Sequence, residues 1–184
     1  MGFVKERLFN LSTAQTNPVQ DNYTKKEVYI PMRDGTKLFT IIYTPKDISK
    51  GKKYPFIMNR TCYSIAPYGE NNFRKKLNPN KFIEKEKYIF VFQDVRGRYM
   101  SEGIFTNMTP QVDHKTKKDV DESTDTYDTV DWLVKNVQNN NGKVGQYGTS
   151  YPGFYTAVGT LANHPALVAS SPQAPISDFW FDDF

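Results

Sequence analysis

Residues 142–162 have the sequence GKVGQYGTSYPGFYTAVGTLA, which is a β-rich run, a serine flanked by glycines and then a helix-like segment. A serine projects from a strand-to-helix turn only where small neighbours leave room, because the backbone there is strained and tightly packed. Gly148 and Gly153 provide that room around Ser150. The pattern therefore predicts a nucleophile elbow in which the first free N–H groups of the helix face a developing oxyanion. An ordinary glycine turn with Ser150 as helix N-cap is the alternative on these residues alone.

Strand and helix patterns alternate on both sides of this stretch. Two apolar segments flank Arg33-Asp34-Gly35-Thr36, which indicates a β-hairpin, and two nearly continuous apolar runs follow, as in strands buried on both faces. The predicted strands cover residues 27–32, 37–43, 54–59, 88–93, 143–147 and 167–171, and the predicted helices cover 80–85, 125–137 and 154–162. Thr124 or Asp125 is the expected cap of the second helix. The alternation predicts an α/β fold with a mostly parallel sheet led by an antiparallel hairpin.

Length and composition limit the domain organisation and the partners. The 184 residues suffice for one domain with a sizeable core, and the polar, aperiodic residues 1–26 are expected to form an N-terminal arm. The net charge is +4 without a basic block interleaved with aromatics, so nucleic acid is not an expected partner. No apolar run is long enough for a membrane span, which predicts a soluble chain, cytoplasmic or exported after loss of a signal peptide. The single cysteine and two histidines lack zinc spacing, so neither a metal nor a cofactor is expected.

The segment RTCYS, residues 60–64, follows the first predicted parallel strand. Functional groups gather at the carboxyl ends of such strands. Here the hydroxyl of Tyr63 and the N–H of Tyr151 are candidates to donate to one oxyanion. The alternative is that Tyr63, one of twelve tyrosines, is anchored by packing.

The segment QDVRGRYMSEG, residues 93–103, follows the next strand and is dense in charge and glycine. Such a loop binds substrate or braces itself. Alternating signs at Asp94, Arg96, Arg98 and Glu102 favour mutual pairing of these four side chains.

Together with GTSYPG at residues 148–153, these two segments resemble the motifs of the X-Pro dipeptidyl-peptidase S15-like (CocE/NonD) hydrolases, in the same order. That group includes α-amino acid ester hydrolases, cocaine esterase and glutaryl-7-aminocephalosporanic acid acylase-type enzymes. The resemblance extends from about Glu27 to Phe184 and implies the N-terminal portion of an α/β-hydrolase fold. It also implies that Ser150 is the nucleophile, that Tyr63 and Tyr151 form the oxyanion hole, and that the family's G-x-S-Y-x-G elbow accommodates Pro152.

The residues that would activate Ser150 are not evident in the chain. In α/β-hydrolases the acid and the histidine of the triad follow the serine, and only 34 residues follow Ser150 here. His114 precedes it in a lysine-rich loop and is expected to be solvated. His164 lies beyond the helix, roughly 20 Å from Ser150 at the α-helical rise. The resemblance implies a cap region beginning near residues 178–184, with the triad acid and histidine in a C-terminal segment that this chain lacks.

Asp182 and Asp183 fall near the position at which some members of this group hold a substrate α-ammonium group with carboxylates. They are therefore candidate substrate-binding residues, and the alternative is that they cap the first helix of the cap region. The expected function is serine hydrolysis of an ester or amide of an α-amino acid or acylated peptide-like substrate, or of a short peptide. The isolated fragment is expected to be inactive without its C-terminal segment. A non-catalytic partner-binding module is the competing hypothesis, and homo-oligomerisation of the full-length form is left open.

Overall fold

The computed structural model describes residues 17–47, 51–114, 116 and 118–177. Its elements in chain order are α1 (Pro18–Asn22), β1 (Tyr23–Pro31), β2 (Lys37–Pro45), β3 (Tyr54–Thr61), α2 (Lys81–Glu86), β4 (Ile89–Asp94), α3 (Glu122–Asn136), β5 (Asn140–Thr149), α4 (Tyr151–Thr160) and β6 (Leu167–Gln173). The strands form one sheet in the order β1-β2-β4-β3-β5-β6. β2 pairs antiparallel with β1 and β4, whereas β3, β4, β5 and β6 run parallel to one another. The predicted α/β fold with a leading antiparallel hairpin is confirmed.

The hairpin turn is formed by Asp34 and Gly35, the two residues that indicated it in the sequence. Gly35 adopts φ +90°, a left-handed conformation that glycine accepts readily. The carboxylate of Asp34 accepts hydrogen bonds from the backbone and the hydroxyl of Thr36. The turn thereby fixes the register in which Pro31 faces Lys37.

The centre of the sheet is buried on both faces, as its apolar strands predicted, whereas the edge strands β1 and β6 are partly exposed. Every residue of β4 is buried. One apolar cluster packs Val130 and Leu133 of α3 against one face of the sheet, and a second cluster, which includes Phe90 and Phe92, covers the other face. The central parallel strands are thus held rigidly, and their carboxyl ends form a fixed platform for the loops that follow.

Several boundaries differ from the sequence-based expectation, among them the end of the N-terminal arm, the start of α3 and the starts of β5 and α4. Residues 18–26, assigned to an N-terminal arm, form α1 and the first part of β1; Asn17 caps α1 and Pro18 occupies its first turn. The predicted cap of α3 at Thr124 or Asp125 is wrong, because Asp121 accepts hydrogen bonds from the backbone of residues 123 and 124. The error arose because the first turn of α3 is polar yet buried, so it lies outside the apolar stripe. Among the helices of the described ranges, none has the length and apolar character needed to span a bilayer.

Candidate active site

Ser150 lies at a sharp turn between β5 and α4. It adopts φ +62° and ψ −123°, a conformation that strains a residue other than glycine. Its N–H donates to the carbonyl of Gln173 at the end of β6 (3.0 Å), and its carbonyl accepts from Phe154 N–H (3.0 Å). The residue is exposed, and its side chain makes no capping hydrogen bond to α4. Ser150 therefore occupies the N-cap position of α4 without capping it, since its hydroxyl is not engaged by the helix.

The glycines around Ser150 are required by close backbone contacts. A Cβ atom on Gly148 would lie 2.1 Å from the carbonyl oxygen of Pro152, and one on Gly153 would lie 2.6 Å from that of Gln173. Neither position has room for a side chain. Strand, strained serine and helix are thus arranged as the sequence pattern predicted for a nucleophile elbow.

The N-terminus of α4 presents few donors, all of them backbone groups. The first N–H groups of a helix have no intrahelical partner, and Pro152 has no N–H, so Tyr151 and Gly153 carry the donors of this turn. The Tyr151 hydroxyl donates to the Asn107 side chain and accepts from Met108 N–H (2.8 Å). Burial raises the pKa of this hydroxyl. With the phenol engaged in the interior, the backbone N–H is the group that Tyr151 offers near Ser150.

Tyr63 lies just beyond the carboxyl end of β3, beside the elbow. Its ring approaches that of Tyr151 edge-on, with 6.3 Å between centroids. The side chain is 57% exposed, and its hydroxyl has no hydrogen-bond partner among the described residues. A tyrosine anchored by packing would be buried, so this side chain is better placed to meet a bound molecule than to support the core.

The two histidines of the chain have other partners. His164 is buried, its Nδ1 accepts from Ala166 N–H (3.0 Å), and its ring packs against Tyr127. It precedes β6, whose opposite end contacts Ser150, and seven residues of strand span roughly 20 Å. His114 was expected to be solvated, but its Nε2 lies 2.8 Å from a carboxylate oxygen of Asp121, the cap of α3.

The loop of residues 93–103 is braced, but not by pairing among its own charged side chains. That expectation is wrong, because each side chain binds a group elsewhere in the fold. Asp94 accepts from Ile65 N–H and the Tyr68 hydroxyl, Arg96 pairs with Asp34 and Asp125, Arg98 donates to the Cys62 carbonyl, and Glu102 accepts from Lys37 N–H. These partners are 26 to 65 positions away in the sequence, so alternation of sign within the loop carried no information about them.

Sequence reasoning missed a buried ionic group beneath this end of the sheet. Arg60 is 2% exposed, donates to the Gln93 side chain (2.7 Å) and to the Glu122 carbonyl (3.0 Å), and lies 3.0 Å from the Glu122 carboxylate without hydrogen-bond geometry. Burial raises the pKa of Glu122, and the positive charge of Arg60 opposes that rise. The group ties the start of α3 to β3 and β4. Its only sequence signal was the polar run at residues 121–126, which precedes the apolar stripe of α3.

The two predicted substrate-binding residues, Asp182 and Asp183, lie outside the described residues. Within the described ranges, no three histidine, cysteine or carboxylate side chains are grouped so that they would hold a metal ion.

Comparisons with known proteins give a consistent set of relatives. A model of the X-Pro dipeptidyl-peptidase (S15) family matches residues 34–184. Cocaine esterase from Rhodococcus sp. is 28% identical over 165 residues, which cover 88% of this chain and 25% of that protein. Two solved structures are similar to nearly the whole of this chain, which covers 30% of each of their own chains. One is an aminopeptidase from a marine-sediment Thaumarchaeota archaeon (36% identity, TM-score 0.77), and the other is a selenomethionine-labelled α-amino acid ester hydrolase (38% identity, TM-score 0.76). The chain thus spans between a quarter and a third of the length of these relatives.

Proposed function

Since this chain belongs to the X-Pro dipeptidyl-peptidase (S15) family, we propose that it carries the nucleophile and the oxyanion hole of a serine hydrolase. The observation that carries the proposal is the strained, exposed Ser150, whose hydroxyl does not cap the helix that begins beside it. Strain of this kind persists where the surrounding structure imposes it, and it is typical of functional residues.

In the proposed reaction the Ser150 oxygen attacks the acyl carbonyl while its proton passes to a general base. The carbonyl oxygen becomes an oxyanion that accepts hydrogen bonds from the N–H of Tyr151 and the hydroxyl of Tyr63. Collapse of the tetrahedral intermediate breaks the ester or amide bond, and the leaving alcohol or amine takes up the proton. Water then releases the acyl group from Ser150 by the same steps.

We assign the base and its acidic partner to residues outside this chain. Both histidines of the chain are held by other groups, and His164 lies at the far end of β6 from Ser150. The relatives are three to four times longer than the chain, which leaves ample sequence for both residues. The isolated chain is therefore expected to have little or no turnover.

The substrate proposal rests on the relatives. Cocaine esterase supports an ester, and the aminopeptidase and the α-amino acid ester hydrolase support an acyl group with a free α-amino group. Asp182 and Asp183 remain proposed contacts for that ammonium group, with capping of a following helix as the alternative.

The test compares this chain with the longer polypeptide that supplies the proposed acid and histidine, using p-nitrophenyl esters of amino acids. The longer polypeptide should hydrolyse them, Ser150→Ala should abolish turnover, and Ser171→Ala, on an exposed serine of β6, should not change it. Full activity of Ser150→Ala would refute the nucleophile. Comparable turnover by the isolated chain would refute the assignment of the base.

The competing hypothesis is a non-catalytic module that binds a partner chain. It is favoured by β6, which pairs on one side only within the described residues and exposes Val168 by 59%. A longer polypeptide that hydrolyses no ester or aminoacyl amide, although it folds, would favour this hypothesis.

A further inference from the structure

The loop that carries Tyr63 is held in place by side chains from outside it. The Cys62 carbonyl accepts from Arg98 Nε (3.0 Å), the Ile65 N–H donates to an Asp94 carboxylate oxygen (3.1 Å), and the Ile65 carbonyl accepts from Arg74 (2.9 Å). The backbone on both sides of Tyr63 is therefore fixed by three charged groups rather than by the ladder of the sheet.

Asp94 is the centre of this arrangement. It is fully buried at the end of β4, directly opposite Thr61 of β3. Its second carboxylate oxygen accepts from the Tyr68 hydroxyl (2.9 Å) and the Met100 N–H (3.4 Å). One carboxylate thus joins the loop after β3 to the loop after β4. Burial raises its pKa, and the hydrogen bonds from its donors oppose that rise.

Tyr63 depends on this support more than a buried tyrosine would. Its side chain is more than half exposed, and its only aromatic contact in the described part of the chain is the edge-on approach to Tyr151. The position of its hydroxyl therefore follows the position of the backbone at residues 62–65. A displacement of about 1 Å at a reacting group can lower a rate about 100-fold.

We propose that Asp94 and Arg98 are positioning residues that place the Tyr63 hydroxyl relative to Ser150. The proposal rests on the oxyanion role assigned to Tyr63 above. It gives the segment at residues 93–103 a function, which is to set the geometry of Tyr63.

A double-mutant cycle in the longer, active polypeptide tests this. Tyr63→Phe should lower kcat about 100-fold, as loss of one oxyanion donor does. Asp94→Ala should lower kcat about 10-fold or more with KM nearly unchanged, because a displaced donor weakens transition-state contacts. In the Tyr63→Phe background, Asp94→Ala should change kcat by no more than about twofold, because the hydroxyl it positions is already absent.

Two further variants separate positioning from stability. In Asp94→Asn the amide oxygen still accepts from Ile65 N–H and the amide nitrogen donates to the Tyr68 oxygen, whose hydroxyl turns to Ser64, 2.9 Å away. The long hydrogen bond from Met100 N–H (3.4 Å) is lost, because an amide nitrogen cannot accept it. This variant should recover most of kcat. Arg98→Met removes the donor to the Cys62 carbonyl from a half-buried site while keeping a long side chain. It replaces Asp94→Ala in the double-mutant cycle if Asp94→Ala does not fold.

The outcomes distinguish this proposal from the function on which it rests. No effect of Tyr63→Phe on kcat would refute the oxyanion role and the positioning together. If Tyr63→Phe lowers kcat, and Asp94→Ala or Arg98→Met lowers kcat in the Tyr63→Phe background by as much as it does alone, only the positioning is overturned. Loss of that factor in the double variant, with rescue by Asp94→Asn, supports it.

Discussion

Replacement of Gly148 by alanine should destabilise the fold by moving the elbow. The added Cβ would lie 2.1 Å from the carbonyl oxygen of Pro152 and 2.3 Å from its carbon, whereas ordinary contact begins near 3.4 Å. The start of α4 must therefore move away from β5 by about 1.3 Å, the difference between 3.4 and 2.1 Å. Backbone rather than a flexible side chain blocks the new atom, so no rotamer change relieves the contact.

The expected loss of stability follows from this obstruction. Overpacking typically costs about 1–3 kcal/mol, and a backbone obstacle places Gly148→Ala near the upper end. A loss of about 3 kcal/mol lowers Tm by about 6–12 °C for a protein of this size. Gly145→Ala is the matched control, because it makes the same change on the same strand and its nearest neighbour, Ile57 Cδ1, is 3.4 Å away.

Thermal unfolding and urea unfolding followed by circular dichroism measure both variants against the parent chain. Gly145→Ala should remain within about 1 kcal/mol of the parent. If Gly148→Ala is as stable as Gly145→Ala, the tight approach of α4 to β5 is not a constraint of the fold. The structural argument for the elbow would then be refuted.

Three further predictions follow from buried groups. Asp121→Ala should destabilise the chain by about 1 kcal/mol at pH 7 through loss of the α3 cap. Burial raises the pKa of Asp121, but hydrogen bonds from Ser123, Thr124 and Val112 outweigh burial, so the pKa is lowered. Urea titrations should therefore show the stability difference between parent and variant shrinking as pH falls through that lowered pKa. Cys62 is 4% exposed and burial raises its thiol pKa, so iodoacetamide should modify it slowly until urea unfolds the chain, and rapid reaction of the folded form would contradict the packing. Leu133→Ala should cost about 2–5 kcal/mol in urea unfolding whereas Leu161→Ala, at a 54% exposed position, should cost no more than about 0.5 kcal/mol, and equal losses would refute the placement of the core.

The features that the sequence predicted correctly are those whose causes are local. Asp34 and Gly35 determine the hairpin within four residues, and Gly148 and Gly153 make room for Ser150 within three. The start of α3 was misplaced because its first turn is buried against an arginine of β3, 62 positions earlier in the chain. A pattern of apolar residues cannot indicate that a polar turn is buried, since the partner that makes burial tolerable is distant in sequence.

The same contrast explains why a candidate nucleophile could be proposed from this chain and a base for it could not. Of two residues after Ser150, His164 is nearer in sequence but lies at the far end of β6, whereas Gln173 is farther along and accepts the Ser150 N–H. All the parallel strands end at the edge of the sheet where Ser150 lies. Residues after Ser150 therefore come close to it again only where a later strand ends. A base for Ser150 is therefore expected after the carboxyl end of a strand. His164 precedes β6, and His114, which does lie in the segment after β4, is bound to the cap of α3. The proposed triad therefore depends on the order of the strands, whereas the turn around Ser150 depends on six consecutive residues.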